Sequence, residues 1–350
     1  MAKKISMQDI ADRLNISKNS VSQALSGKTG VSAETRSLVQ KTARELGYEY
    51  SSSRKQNQAQ SKPLRNVALI ASEFAFSLKS FFGEIYLSIE KEVRDRGMNL
   101  YIESINDDSK NNLTLPALFS NHEIDGTLIL SHISTDYITE IINTGIPTVL
   151  IDHHSPYLQA DSILTNNRFG AYSAVEHLIR LGHIDIAFVG DCDFSPSYQE
   201  RYEGYLLALK KYGLPQNPEF MFTDAQESQE EMNEIFISLK KRPTAWFCVN
   251  DGHGFIVTSV LQQNGCKVPE EASVCNFDNG QLSKIANPKI TTMDIDLTYF
   301  GKKAVEQLCW RIEHKDEPVH EILLPTKLIV RESTSERPLG NSEKFTNASE

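Results

Sequence analysis

The 350-residue chain has little that would support covalent chemistry or membrane insertion. Its five cysteines, Cys192, Cys248, Cys266, Cys275 and Cys309, stand alone with no C-x-x-C spacing, which fits a reducing compartment. No apolar run approaches the roughly 18 residues of a transmembrane helix, and the opening MAKKISMQDIADR lacks an apolar stretch of signal-peptide length. A cytoplasmic protein without membrane contact is expected. There is no G-x-x-x-x-G-K-[ST] loop, no G-x-G-x-x-G fingerprint and no G-x-S-x-G elbow. Two histidine pairs, His153-His154 and His177 with His183, could suggest a metal. Adjacent side chains on an extended chain point to opposite sides, however, and residues six apart are about 240° out of phase on a helix. Structural roles are expected for all four. No catalytic residue, metal site or cofactor is called for, and the chain does not read as an enzyme.

What is present is ordinary globular composition, 40% hydrophobic and 23% charged, enough for two or three domains. The net charge of −10 hides an asymmetry. Residues 1–65 hold twelve Lys and Arg against five Asp and Glu, a net of +7, which leaves −17 for residues 66–350. A basic head on an acidic body is the electrostatic footprint of a nucleic-acid module, although a merely solvated basic face has the same sign.

Local motifs decide between the two. Ser6-Met7-Gln8-Asp9 is an S-x-x-D capping box, followed by Ile10, Ala11 and Leu14 on one helical face. Asn15-Ile16 interrupts that helix, and Ser17 caps a second with Val21, Ala24 and Leu25 facing inward. Residues 26–30 are a turn; Ser32 caps a third helix lined by Leu38, Val39, Ala43 and Leu46, and Gly47 ends it. Two short helices joined by a turn and braced by a third form a helix-turn-helix, whose second helix reads the major groove. The outer face of that helix carries Ser17, Lys18, Asn19, Ser20, Ser22 and Gln23, all hydrogen-bonding and none acidic. Amides read adenine edges, lysine reads guanine or grips phosphate, and serines contact phosphates. Ser6 is a further candidate for phosphate contact.

The stretch from Ser6 to Tyr48 resembles, without gaps, the head of the lactose/galactose repressor (LacI/GalR) family. That resemblance implies base contacts at Lys18, Asn19 and Gln23. Most members carry Arg at the last position, so Gln23 implies an adenine-type fork in place of a guanine fork. Residues 51–65 read as a polar, basic linker. The family's corresponding stretch forms a hinge helix whose leucine wedges into the minor groove. Here Asn57 takes that place and Tyr50 stands where a proline is usual, so a weaker wedge and more reliance on phosphate contacts from Arg54, Lys55 and Lys62 are expected.

From Val67 onward, near-continuous apolar runs such as 67–71, 127–130, 147–151, 186–189, 246–249 and 274–277 alternate with amphipathic helices. This is the pattern of parallel sheets covered on both faces, the doubly wound class, in which ligands bind beyond the carboxyl ends of strands. Asp152, Asn250, Asp251 and Asp278 sit just after such runs. The resemblance extends over this body to about Val330, through Leu181-Gly182-His183, Val249-Asn250-Asp251, Phe277-Asp278 and Val330-Arg331-Glu332-Ser333.

It implies a helix-turn-helix head (1–50), a linker (51–65) and a periplasmic-binding-protein-like core of two doubly wound α/β subdomains (66–336). The first subdomain takes about 66–164 and 292–322, and the second about 165–291 and 323–336. It also implies an effector cleft formed by Phe81, Phe82, Asp152, Arg201, Asn250 and Asp278. Carboxylates and an amide suit vicinal hydroxyls, an arginine fork spans two oxygens, and an aromatic face covers C–H groups, so a sugar is expected. A purine or phosphorylated sugar is the variant reading, since Arg201 could hold a phosphate, and each residue could also be a cap or core residue.

Residues 337–350 read as a disordered tail without the leucine heptads that make some relatives tetramers, which favours a homodimer on a near-palindromic operator. The function expected is a DNA-binding transcriptional regulator, a repressor of carbohydrate-use genes switched by a small effector. Two rivals are a global regulator controlled by a phosphorylated protein partner and a sugar-binding transport component.

Overall fold

The computed structural model describes residues 5–25, 30–46, 48, 65–73, 75, 81–121, 123–130 and 133–337. Expectations for Gly47, Arg54, Lys55, Asn57, Lys62 and the tail beyond Arg337 lie outside them. The chain divides into two compact units, Met1–Leu64 and Arg65–Glu350.

The first unit contains α1 (Met7–Leu14), α2 (Lys18–Leu25) and α3 (Ala33–Glu45). The capping box at α1 is reciprocal: the Asp9 backbone N–H donates to Ser6 Oγ, and the Ser6 N–H donates to Asp9 Oδ2 at 2.7 Å. Asn15 then turns the chain at φ 52°, a left-handed conformation that asparagine tolerates. Ser17 accepts the Ser20 N–H at 3.0 Å, and Ser32 accepts the Thr35 N–H at 3.1 Å. Ile10, Ala11, Val21, Ala24, Val39 and Ala43 form the buried centre. Leu38, expected in that core, is instead 52% exposed. One residue along a helix is about 100° of rotation, so facing Val39 and Ala43 inward carries Leu38 out. Gly30 adopts φ +130°, a backbone conformation in which any other residue is strained.

The second unit contains two six-stranded sheets. The first runs β11-β5-β4-β3-β1-β2 and is wholly parallel, built from β1 (Asn66–Ser72), β2 (Asn99–Ile105), β3 (Gly126–Leu130), β4 (Thr148–Ile151), β5 (Asp161–Thr165) and β11 (Glu321–Leu324). The second runs β12-β10-β9-β8-β6-β7, with β6 (Ile186–Val189), β7 (Met221–Phe222), β8 (Ala245–Cys248), β9 (Ser273–Asp278), β10 (Thr291–Asp294) and an antiparallel edge, β12 (Lys327–Ile329). The central strands are buried along their whole length, as sheets covered on both faces require.

The chain crosses between the sheets three times: after β5, between β10 and the Leu297–Glu313 helix, and between β11 and β12. Thr291–Asp294 pairs with β9, so the second crossing falls after Asp294 and not at 291/292. Leu323 and Leu324 pair with β5, so the third falls after Leu324 and not at 322/323. A buried fork secures this region. Arg311 donates from Nε and Nη2 to Asp161 at 2.9 and 2.7 Å, while Gln307 Nε2 and the His320 N–H donate to the same carboxylate. Burial alone would raise the Asp161 pKa, but these donors hold it below the usual carboxylate range.

Candidate functional site

A cavity of about 320 Å³ opens where strands of both sheets end. Asp152 follows β4, Asp191 and Asn250 lie two residues beyond β6 and β8, and Asp278 is the last residue of β9. This is the ligand position of open α/β sheets, and the volume is within the usual range for small-molecule sites. Phe81, Phe82, Asp152, Arg201, Asn250 and Asp278 all line it.

Two of these residues have strained backbones. Asp152 has φ 54° and Asp278 φ 91°, both in the region that favours glycine. Such strain, placed at the mouths of two strands, concentrates where a structure must aim a side chain at a ligand. Burial raises the Asp152 pKa to about 6 despite Arg201 and a hydrogen bond from Ser197 Oγ at 2.9 Å. Burial likewise raises Asp278 to about 7, opposed by Arg201 and reinforced by Asp251 and Asp152.

Arg201, only 2% exposed, is held on every side. Its Nη1 donates to the Val249 carbonyl at 2.7 Å, its Nε donates to Asn167 Oδ1 at 2.9 Å, and its guanidinium lies over Phe277 at 3.9 Å. Asp278 Oδ1 is 3.0 Å from Nη1, an ion pair without an aligned hydrogen bond. Nε and Nη1 are therefore committed to protein acceptors, while the two N–H groups of Nη2 have no protein acceptor among the described residues.

Asn250 fills the capping role as well as lining the cavity. Its Oδ1 accepts the His253 N–H at 2.9 Å, and its Nδ2 donates to Tyr198 Oη at 2.6 Å and to Glu227. Phe82, 3% exposed, is a core residue whose ring meets Phe81 edge-on at 5.0 Å, so the pair forms one apolar wall.

Sequence reasoning missed Asp191, Phe194, Tyr198, Glu227 and His253, which also line the cavity. Tyr198 and His253 lie in the first turns of helices, one helical turn from Arg201 and Asn250, and that spacing was the available signal. Burial pushes the Tyr198 hydroxyl above its ordinary pKa and the His253 imidazole below. Asp191, Phe194 and Glu227 sit in loops that no periodicity marks.

The histidine pairs have other partners. His177 meets Thr334, while His183, fully buried, bridges Thr244, Ser273 and the Ser335 carbonyl. His154 lies 3.4 Å from Glu200 and 3.8 Å from Glu321, and the Glu200 contact raises its pKa. Burial lowers His153 to about 4. Among the described residues no group of three or more His, Cys, Asp or Glu is arranged to hold a metal.

In the first unit Lys18 and Asn19 are exposed on α2, and Ser20, Ser22 and Gln23 are half-buried. Ser6 and Ser17 spend their hydroxyls on caps, with Ser6 Oγ donating to Asp9 Oδ2 and Ser17 Oγ 2.8 Å from Ser20 Oγ. Among the described residues no helix is long and apolar enough to cross a membrane.

A three-helix head with a polar, acid-free second helix, joined to a two-sheet body with a cleft, defines a DNA-binding regulator with an effector domain. Residues 6–51 match the model of bacterial regulatory proteins of the lacI family, and residues 175–334 match that of a periplasmic binding protein-like domain. The NTD biosynthesis operon regulator NtdR of Bacillus subtilis is 31% identical over 336 residues, covering 94% of this chain and 99% of NtdR. The HTH-type transcriptional repressor PurR of Aliivibrio fischeri is 28% identical over 337 residues, covering 95% of this chain and 98% of PurR. A ribose-bound LacI-family regulator from Enterococcus faecium superposes with a TM-score of 0.66 at 25% identity, over 78% of this chain and 99% of that one. The chain belongs to the LacI family. It is a transcriptional regulator and not an enzyme, which sets aside the transport-component reading.

Proposed function

We propose that this regulator is a repressor of carbohydrate-use genes whose operator affinity is set by a small polyhydroxylated effector bound in the cavity between the two sheets. The observation that carries the reading is the convergence of Asp152, Arg201, Asn250 and Asp278 with the Phe81–Phe82 wall in one cavity at the strand ends. Carboxylates and amides serve hydroxyls, and aromatic edges serve the C–H faces of a sugar ring. The ribose carried by the Enterococcus faecium protein is chemistry of the same kind.

The switch is a population shift. An effector that binds one arrangement of the two sheets better than the other biases the pair, and a coupling of about 1–3 kcal/mol changes operator affinity roughly 5- to 150-fold. Lys18, Asn19 and Gln23 are assigned to bases, with Ser6, Ser17, Ser20, Ser22, Arg54 and Lys55 assigned to phosphates. The protein works in the cytoplasm as a homodimer on a near-palindromic operator. An open sheet edge at β2, with Tyr101 40% and Ile102 45% exposed, supports the dimer.

Selection of bound sequences from random DNA, with and without a panel of sugars, tests this. The expected result is a palindrome with adenine opposite Gln23, recovered less well when one sugar is present. Enrichment that no small polar ligand alters would overturn the effector reading, and guanine fixed opposite Gln23 would overturn the adenine fork.

A further inference from the structure

Beside the cavity, the segment 152–154 that follows β4 of the first sheet meets the Pro196–Lys211 helix, which connects β6 and β7 of the second. Ser197, Glu200 and Arg201 stand three and four residues apart on that helix and so share one face. Ser197 Oγ donates to Asp152 Oδ1 at 2.9 Å, and His154 Nε2 lies 3.4 Å from Glu200 Oε1. Both contacts join an element of one sheet to an element of the other. Neither His154 nor Glu200 lines the cavity itself.

The pair is held from both sides. Glu200 Oε2 accepts Asn167 Nδ2 at 3.1 Å, which turns Oε1 toward His154, and His154 Nδ1 lies 3.8 Å from Glu321 Oε1 on β11. The His154 and Glu200 side chains are 28% and 18% exposed, so solvent and salt screen them less than an open surface pair. Among the described residues, His154 faces Asp152 and His153 on its own segment, Glu321 on β11 and Glu200 on the helix, with Arg168 near Glu200. His153, lowered to about 4 by burial, stays neutral near neutral pH and does not oppose a charge on His154 there.

A carboxylate attracts an imidazolium far more than a neutral imidazole, so the contact depends on a proton. The Glu200 contact raises the His154 pKa above its ordinary 6.5. An arrangement that keeps the pair therefore binds the proton more tightly than one in which segment and helix have parted. Its advantage is complete below about pH 6.5 and is lost as pH rises through the raised value. Glu321 sits on the same sheet as His154 and acts on it in both arrangements alike, so Glu200 alone makes the difference. Residues 1–65 contain no histidine, so the side chains of the head keep their charge across this range.

We propose that His154 and Glu200 form a proton-operated latch between the two sheets: a proton on His154 favours the arrangement in which segment and helix meet, and its loss frees them to part. The latch rests on the population-shift reading above only in needing two arrangements of the sheets, and it works whichever effector binds. Operator affinity then responds to pH through the body, in the same currency in which it responds to effector.

Two measurements on the full chain test the latch. In the first, protein carrying carbon-13 histidine is titrated by NMR, with the His154 signal assigned by its loss in His154→Gln. Its midpoint is expected above 6.5 and should fall toward 6.5 in Glu200→Gln. In the second, affinity for the operator recovered from random DNA is compared at about pH 6 and about pH 8.5. The ratio of the two affinities should change by about three- to tenfold in His154→Gln and equally in Glu200→Gln, the double variant should change no more than either alone, and Glu321→Gln should keep most of the original ratio. A merely structural contact would move affinity at both pH values together. A His154 midpoint at or below 6.5 shows that the pair does not form in solution. A raised midpoint with an operator ratio unaltered in His154→Gln shows that the pair does not part when the protein switches. Either result overturns the latch and leaves the effector reading standing.

Discussion

At Arg201 one guanidinium does three things: it closes the end of β8 through the Val249 carbonyl, fixes Asn167 at the start of the next-door helix, and offsets the charge of Asp278. Removing it leaves Asp278 and Asp152 buried without a cation. Arg201→Met is expected to cost about 3–5 kcal/mol in urea unfolding, the range for breaking a buried pair from one side, and adding Asp278→Asn should recover part of that. The same carboxylates set a pH dependence.

A carboxyl whose folded pKa is raised gives its full stabilisation below the unfolded value, near 4, and loses it as pH rises through the folded value. Asp278, near 7, faces Arg201, Asp251 and Asp152; Asp152, near 6, faces Arg201, Glu200 and His154. The unliganded protein should therefore lose stability from these two groups between about pH 4 and 7. Asp161, held low by Arg311, works in the opposite sense and costs stability as pH falls through its folded pKa. Asp278→Asn should flatten the decline in melting temperature across pH 5 to 7.5. An unchanged slope would show that the side chain does not titrate across this range in the folded protein.

Helix contacts decide which of these residues can meet. The Pro196–Lys211 helix carries Ser197, Tyr198 and Arg201 to the cavity, and it lies so close to the Asn167–Arg180 helix that a Cβ on Gly204 would run into the Arg168 carbonyl and come within 2.8 Å of Ala171 Cβ. Backbone cannot yield as a flexible side chain does. Gly204→Ala should cost about 1–3 kcal/mol, the range for overpacking, and weaken effector binding in titration by moving Arg201.

This scale also shows what could be read from residues alone. The buried apolar runs of β1, β3, β4, β6, β8 and β9 mark strands plainly, and the rule that ligands sit past strand ends reaches Asp152, Asn250 and Asp278. Strands β7, β10 and β12 are two to four residues long and half polar or half exposed, so they carry no such signature. Glu227 and Phe194 come from loops whose position is set by the folded body. The positive φ at Asp152 and Asp278 was illegible for a different reason: aspartate tolerates it only when the surroundings enforce it.

For the whole molecule the split between a basic head and an acidic body, +7 against −17, allows only one end to approach DNA closely. One head with few phosphate contacts binds weakly, and its affinity falls steeply with salt. Two heads on a two-fold axis convert the second contact into an intramolecular one, which raises avidity by about 10²–10⁴ without any new contact. In the dimer proposed above, the strength of operator binding rests on the pairing of the heads as much as on the contacts proposed for Lys18, Asn19 and Gln23. The dimer proposed above uses the open edge at β2, where Tyr101 and Ile102 are exposed, so a charge there should separate the protomers. Ile102→Glu, at a position 45% exposed, should leave folding and effector binding intact. It should shift the sedimentation coefficient to that of a monomer and weaken operator binding by about 10²-fold or more. A variant that stays dimeric with undiminished operator affinity would place the interface on another face. A variant that turns monomeric yet still binds the full operator tightly would show that the two heads do not act together.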